Sequence, residues 1–233
     1  MIIKAKNIDE ALYKTSKELL NAPEYFPRGR KTKELIQVKI EIENPLDCII
    51  KNKARKLSLH YLDAEMKWYL SGDRSIDKIK DKASLWQQVA DKEGNVNSNY
   101  GYIVFKKPLK NFEGSQYDWV IHSLNKDKDS RQALINFNES EYKDILTKDF
   151  VCTINTQYLI RENKLIGITN MRSNDLIYGF SYDFPFFSFL QNKIAKELNV
   201  DIGKNIHTAA SMHVYERHFK MLENIVEEYE RKN

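Results

Sequence analysis

A chain of 233 residues, 42% hydrophobic and 30% charged, is long enough to bury a core as one domain, and no Pro/Gly/Ser-rich linker divides residues 1–233. No apolar run approaches the ~20 residues of a membrane-spanning helix, and the start, MIIKAKNIDEAL, carries no export signal, so a membrane protein is not expected and the expected location is cytoplasmic. The net charge of +4 is mild and the lysines are scattered among nearly as many acids, which disfavours nucleic acid as a partner and leaves small phosphorylated ligands for the basic residues.

Ala11, Leu12, Leu19 and Leu20 fall at helical spacing between 9 and 21, predicting an amphipathic first helix with a packing role. After the turn-like APEYFPRGR, the alternation of Ile36, Val38, Ile40 and Ile42 predicts a half-buried strand, with Arg28 and Arg30 in the loop before it. Paired loop arginines are either solvated or a phosphate clamp, and the residues alone do not choose. A helix is predicted over 57–70, closed at Ser71-Gly72-Asp73 because glycine tolerates a left-handed cap. Glu65 inside it is either half-exposed or functional. A shorter helical region over 76–89 contains Trp86, residues 91–99 read as loop, and YGYIVF (100–105) reads as a short strand. Residues 117–125 read as helix, and ALINFN, after Asp129-Ser130-Arg131, as strand.

VCTINTQYLI and KLIGITNM are β-rich on either side of a turn-like Arg161-Glu162-Asn163, which predicts a hairpin with Cys152 on one strand and Arg172 at the end of the other. A buried helix over 184–198, a strand in IHTAASMHVYERHF and a charged amphipathic helix over 216–231 complete the chain. Mixed elements without regular alternation predict an α+β fold. Cys48 and Cys152 could form one bridge at most, and in a reducing compartment each is expected as a free thiol. Cys152 is then either a small buried hydrophobe or a nucleophile.

The segments AEMKWYLSGD, SLWQQVADKEGNVNSNYG, DSRQALINFN, VCTINTQYLIRENKL, RSNDLIYGFSYDFPF and MHVYERH stand in an order and spacing that resemble the thymidylate synthase family, from about Arg28 to His218. The resemblance implies that family's fold, a mixed β-sheet packed with helices whose sheet face lies at a dimer interface. It implies that Cys152 attacks carbon 6 of a pyrimidine nucleotide, so that carbon 5 takes a one-carbon unit from 5,10-methylenetetrahydrofolate. Glu65 then matches the general acid/base, and Tyr100 and Asp175 match further active-site positions. Arg28, Arg172 and Ser173 match phosphate contacts, and Arg131 matches an arginine donated across an obligate homodimer. His213 and Tyr215 match the sugar site, Gln157 the base site, and Trp86, Asp175 and Gly179 the folate site. No metal is implied. Gln132 departs from the family, standing where a second donated arginine is usual. Thr153 and Val89 depart too, as does the charged end of the chain, and these put synthase-type closure in doubt.

Asp183 is the departure that bears on the substrate. Relatives that use uracil carry asparagine there, whose amide donates to the 4-oxygen and accepts from the ring N3 proton. Cytosine presents the inverse pattern, which a carboxyl group suits. The residue also suits a plain helix N-cap before Phe184. With Asp183 as base reader, the chain resembles the deoxycytidylate and cytidylate hydroxymethylases. The expected activity is a dCMP 5-hydroxymethyltransferase, with CMP hydroxymethylation, thymidylate synthesis on dUMP and a catalytically silent nucleotide- or RNA-binding role as alternatives.

Overall fold

The computed structural model describes residues 1–232, and their contacts separate into two compact units, residues 1–57 with 161–232 and residues 58–160. In the first unit, β1 (Ile2–Ala5) runs into α1 (Ile8–Leu20). Asn7 starts the helix by accepting from the Glu10 backbone N–H, and Ile8, Ala11, Leu12, Thr15, Ser16 and Leu19 form its buried stripe. Short β2 (Glu24–Tyr25) pairs with β3 (Thr32–Ile42) across a turn at Pro27–Gly29.

β3 confirms the predicted strand but not its full alternation. Val38, Ile40 and Ile42 are buried and Ile36 is exposed, and Gln37 between Ile36 and Val38 takes a positive φ of 52°. The remaining strands of this unit are β6 (Lys164–Met171), two-residue β7 (Asn174–Asp175) and the long β8 (Asp201–Tyr215). β8 is central: antiparallel to β3, parallel to both β6 and β7. A π-helical turn, Leu176–Phe180, leads without interruption into α6 (Ser181–Glu197), which packs on β6 and β8. Phe180, Phe184, Phe186 and Phe187 are completely buried there; full burial of each ring contributes roughly 1.5–3 kcal/mol. α7 (Phe219–Lys232) packs against α1.

The second unit holds α2 (Leu59–Ser71), α3 (Ser84–Val89), α4 (Tyr100–Phe105), α5 (Gln116–Lys126), β4 (Leu134–Asn136) and β5 (Thr153–Arg161), with β4 antiparallel to β5. Gly72 closes α2 at φ 63°, as its sequence predicts. Two expectations are corrected. The 76–89 region is a single 3₁₀ turn followed by α3, and YGYIVF is helix, not strand. Asn99 decides the second point: its side chain accepts from the Tyr102 N–H as an N-cap, and its amide donates to the carbonyls of Trp68 and Asp73. Helix α4 packs so closely on α2 that a Cβ at Gly101 would fall 1.5 Å from the Tyr69 carbonyl oxygen.

The link between β5 and β6 is Glu162-Asn163, with φ of 50° and 57°, the left-handed pair that a tight hairpin turn demands. No helix among the described residues is long and apolar enough to cross a membrane.

Candidate active site

Glu65 sits on the buried side of α2, only 6% exposed. Tyr61, one turn earlier on the same face, donates its hydroxyl to Glu65 Oε1 at 2.5 Å and accepts from Trp86 Nε1 at 3.0 Å. Trp86 is itself fixed edge-on against Trp68, with ring centroids 4.8 Å apart. A buried carboxylate without hydrogen bonds would be costly, and the Trp86–Tyr61–Glu65 chain offsets part of that cost. The Tyr61 hydroxyl thereby fixes Oε1 as an acceptor at one end of the carboxyl group. Sequence reading missed Tyr61, although its spacing of four residues from Glu65 was visible.

Tyr100 opens α4 with its ring stacked on Tyr69 at 5.2 Å and set edge-on to Phe137 at 5.3 Å. Its hydroxyl accepts from Thr153 Oγ at 2.9 Å. Thr153 is the first residue of β5 and follows Cys152 directly, so the residue that departs from the synthases holds Tyr100 beside the thiol's position in the chain. Cys152 is half-buried and forms no disulfide among the described residues. Cys48 forms none either, but burial pushes its thiol up and makes its thiolate harder to form. Elsewhere in this unit Arg131 is exposed, and its carbonyl accepts from Gln157 Nε2 at 2.8 Å. Gln132 is exposed, with its carbonyl taken by Trp119 Nε1.

In the first unit, Arg172 and Ser173 follow the last residue of β6, both half-buried. Ser173 Oγ lies 3.5 Å from His213 Nδ1 on β8, and Asp175 is in register with His213. His213 and Tyr215 share a face of β8 and meet edge-to-face at 5.3 Å. Arg217 lies over the Tyr215 ring at 5.0 Å. Arg28 is exposed at φ 53° in the turn before β3, whose Thr32 pairs with Tyr215. The unit therefore gathers Ser173, Asp175, His213 and Tyr215 around one end of β8.

The helix cap belongs to Asp175, not to Asp183. Asp175 Oδ1 accepts from the Ile177 and Tyr178 N–H groups, opening the π-helical turn, and its Oδ2 makes no hydrogen bond among the described residues. Asp175 is half-exposed, and a carboxylate oxygen with no partner there is an acceptor that fits the N–H donors of a pteridine ring. Asp183 lies within the first turn of α6, half-buried, with Oδ2 accepting from Asn174 Nδ2 at 2.8 Å. The backbone at Gly179 passes so close that a Cβ there would fall 2.5 Å from Asn174 Nδ2 and 3.4 Å from Asp183 Oδ2. Arg55 fastens the junction. Buried at 3% exposure, it donates Nε to Ser181 Oγ at 3.1 Å and Nη2 to the Ile177 carbonyl, with its guanidinium over Tyr182 and Tyr178. Asn174 and Arg55 carried no role in the sequence reading, and Thr153 figured there only as a departure from the family, because their significance lies in what they touch.

Residues 28–233 match the family described as thymidylate synthase. The deoxycytidylate 5-hydroxymethyltransferases of Enterobacteria phages T4 and T2 are each 32% identical to the chain over 180 residues, 72% of this chain and 72% of theirs. Thermostable thymidylate synthase A from Bacillus subtilis shares the fold, with a TM-score of 0.75 over 94% of this chain and 84% of that one at 20% identity.

Proposed function

The chain belongs to the thymidylate synthase family, and from that premise we propose that it is a folate-dependent 5-hydroxymethyltransferase acting on dCMP. The observation that carries this reading is Asp183, a half-buried carboxylate whose Oδ2 is held as an acceptor by Asn174 Nδ2 at 2.8 Å. An acceptor at that position matches the 4-amino group of cytosine and opposes the 4-oxygen of uracil. The likeness to two phage deoxycytidylate hydroxymethyltransferases supports the same choice.

On this reading Cys152 supplies the thiolate that adds to carbon 6, and the ring's electron pair passes to carbon 5. Glu65, with Tyr61 at its Oε1, moves protons at the base. Arg28, Arg172 and Ser173 hold the phosphate together with the partner's Arg131, arginine serving because its planar fork meets phosphate oxygens in pairs. His213 and Tyr215 orient the sugar, Asp183 and Gln157 read the base, Tyr100 is steadied by Thr153 near the nucleophile, and Trp86, Asp175 and Gly179 face the folate. The folate, 5,10-methylenetetrahydrofolate, supplies the one-carbon unit, and water provides the hydroxyl oxygen. The working form is a homodimer, since a site that borrows Arg131 is incomplete in one subunit.

The deciding experiment is product mass after incubation of the protein with methylenetetrahydrofolate and CMP, dCMP or dUMP in turn. Gain of CH2O on dCMP is expected. Gain on CMP alone would move the substrate to the ribonucleotide, gain of CH2 on dUMP would make the protein a synthase, and no product from folded protein would remove the enzyme reading.

A further inference from the structure

Behind Asp183 stand two residues to which the mechanism assigns no task. Asn174, 2% exposed, bridges Asp183 and His207: its Nδ2 lies 2.8 Å from Asp183 Oδ2 and its Oδ1 lies 3.0 Å from His207 Nε2. His207 is on β8, completely buried, with the Phe180 ring edge-on at 5.1 Å and the Phe187 ring at 6.3 Å. Its Nδ1 has no hydrogen-bond partner among the described residues.

The hydrogens along this chain are coupled. Asn174 can serve both neighbours in only two ways. In one, His207 carries its proton on Nε2 and donates to Asn174 Oδ1, and the amide N–H faces Asp183, whose Oδ2 accepts. In the other the amide is turned over, His207 accepts through Nε2 with its own proton on an unpartnered Nδ1, and Asp183 must hold a proton on Oδ2 to donate to Asn174 Oδ1. The second requires a proton on Asp183 Oδ2 and leaves a buried N–H of His207 without an acceptor among phenylalanine rings, whereas the first leaves only a bare ring nitrogen there. Burial lowers the His207 pKa to about 3, so the ring is neutral and has one N–H to place.

The two arrangements offer a base different chemistry. With the amide N–H toward it, Asp183 is an acceptor and suits the cytosine amino group; with the amide turned over, it is an acid and can donate to the uracil 4-oxygen. We propose that His207 and Asn174 are positioning residues that set the hydrogen-bonding sense of Asp183, and through it the preference for cytosine over uracil. This rests on the reading of Asp183 as the base contact.

The test is the ratio of dissociation constants for dUMP and dCMP, measured by calorimetry on the full-length protein without folate, so that turnover does not enter. His207→Leu and Asn174→Ala are expected to lower that ratio by about tenfold or more. His207→Gln, which keeps an N–H near the position of Nε2, is expected to retain most of it. A merely structural role would weaken both nucleotides in parallel and leave the ratio unchanged. If His207→Leu does not fold by circular dichroism, the comparison of Asn174→Ala with wild type decides alone. Asp183→Asn separates the two levels of argument. If it shifts the ratio toward dUMP while the folded His207 and Asn174 variants leave it unchanged, the positioning role is wrong and the base reading stands. If Asp183→Asn also leaves it unchanged, the base reading falls with it.

Discussion

At the scale of single residues, the acids of this chain are distinguished by their neighbours rather than by their type. Glu65 is buried with a tyrosine hydroxyl at 2.5 Å, Asp175 spends one oxygen on a helix start, and Asp183 is tied to a buried asparagine. His207 has a measurable consequence for stability. Its pKa falls from an ordinary 6.5 to about 3 in the folded protein because burial disfavours the imidazolium. A depressed folded pKa means that the unfolded chain binds the extra proton first, so the contribution is whole above pH 6.5 and is lost as the pH falls from there toward 3. Urea midpoints measured from pH 7 to pH 4 should therefore decline more steeply for wild type than for His207→Gln. The difference should approach about 1.4 kcal/mol per pH unit at its steepest. Parallel curves would mean that His207 is not a buried neutral group.

Among the elements, the contact of α4 with α2 leaves the least room for change. Asn99 pins the start of α4 to the end of α2, and Gly101 lets the helix backbone approach the Tyr69 carbonyl. Gly101→Ala would place a methyl carbon 1.5 Å from that oxygen, so one of the helices must move. The expected loss of stability is at or beyond the upper end of the ~1–3 kcal/mol of ordinary overpacking, read as a fall in the urea midpoint. Activity should fall as well, because Tyr100 is carried on the helix that shifts. An alanine variant of wild-type stability would show that the two helices are not so closely packed. The π-helical turn before α6 is the other tight element. Gly179 allows it to pass over Asn174, and Arg55 holds it from below.

At the level of the whole molecule, the proposed dimer makes a prediction that no single subunit can. If the phosphate site of one subunit depends on the partner's Arg131, a Cys152→Ala subunit paired with an Arg131→Ala subunit forms one site that has both intact residues. Mixing the two inactive variants under conditions that exchange subunits should restore about a quarter of wild-type turnover, since half the dimers are mixed and each carries one complete site. No recovery from mixtures shown by mass to contain mixed dimers would place Arg131 in its own subunit's site, and an active Arg131→Ala protein would place it outside the site.

By itself the sequence determined the periodic elements. The stripe of α1, the alternation at Val38, Ile40 and Ile42, the left-handed cap at Gly72 and the α6 segment are local patterns, and local physics is enough to produce them. Family membership was equally legible, because motifs in order survive where overall identity is modest. What only the tertiary structure decided were the points at which distant side chains compete with local preference. YGYIVF has the aromatic and β-branched composition of a strand, yet Asn99 and the α2 backbone make it helix. Asp183 has the makings of an N-cap, yet the preceding π-helical turn begins the helix earlier and gives the cap to Asp175. Asn174 and His207 stand 33 residues apart, and pairing of β7 and β6 with β8 brings them to 3.0 Å. Their hydrogen bond belongs to the sheet, and no local pattern in either strand encodes it.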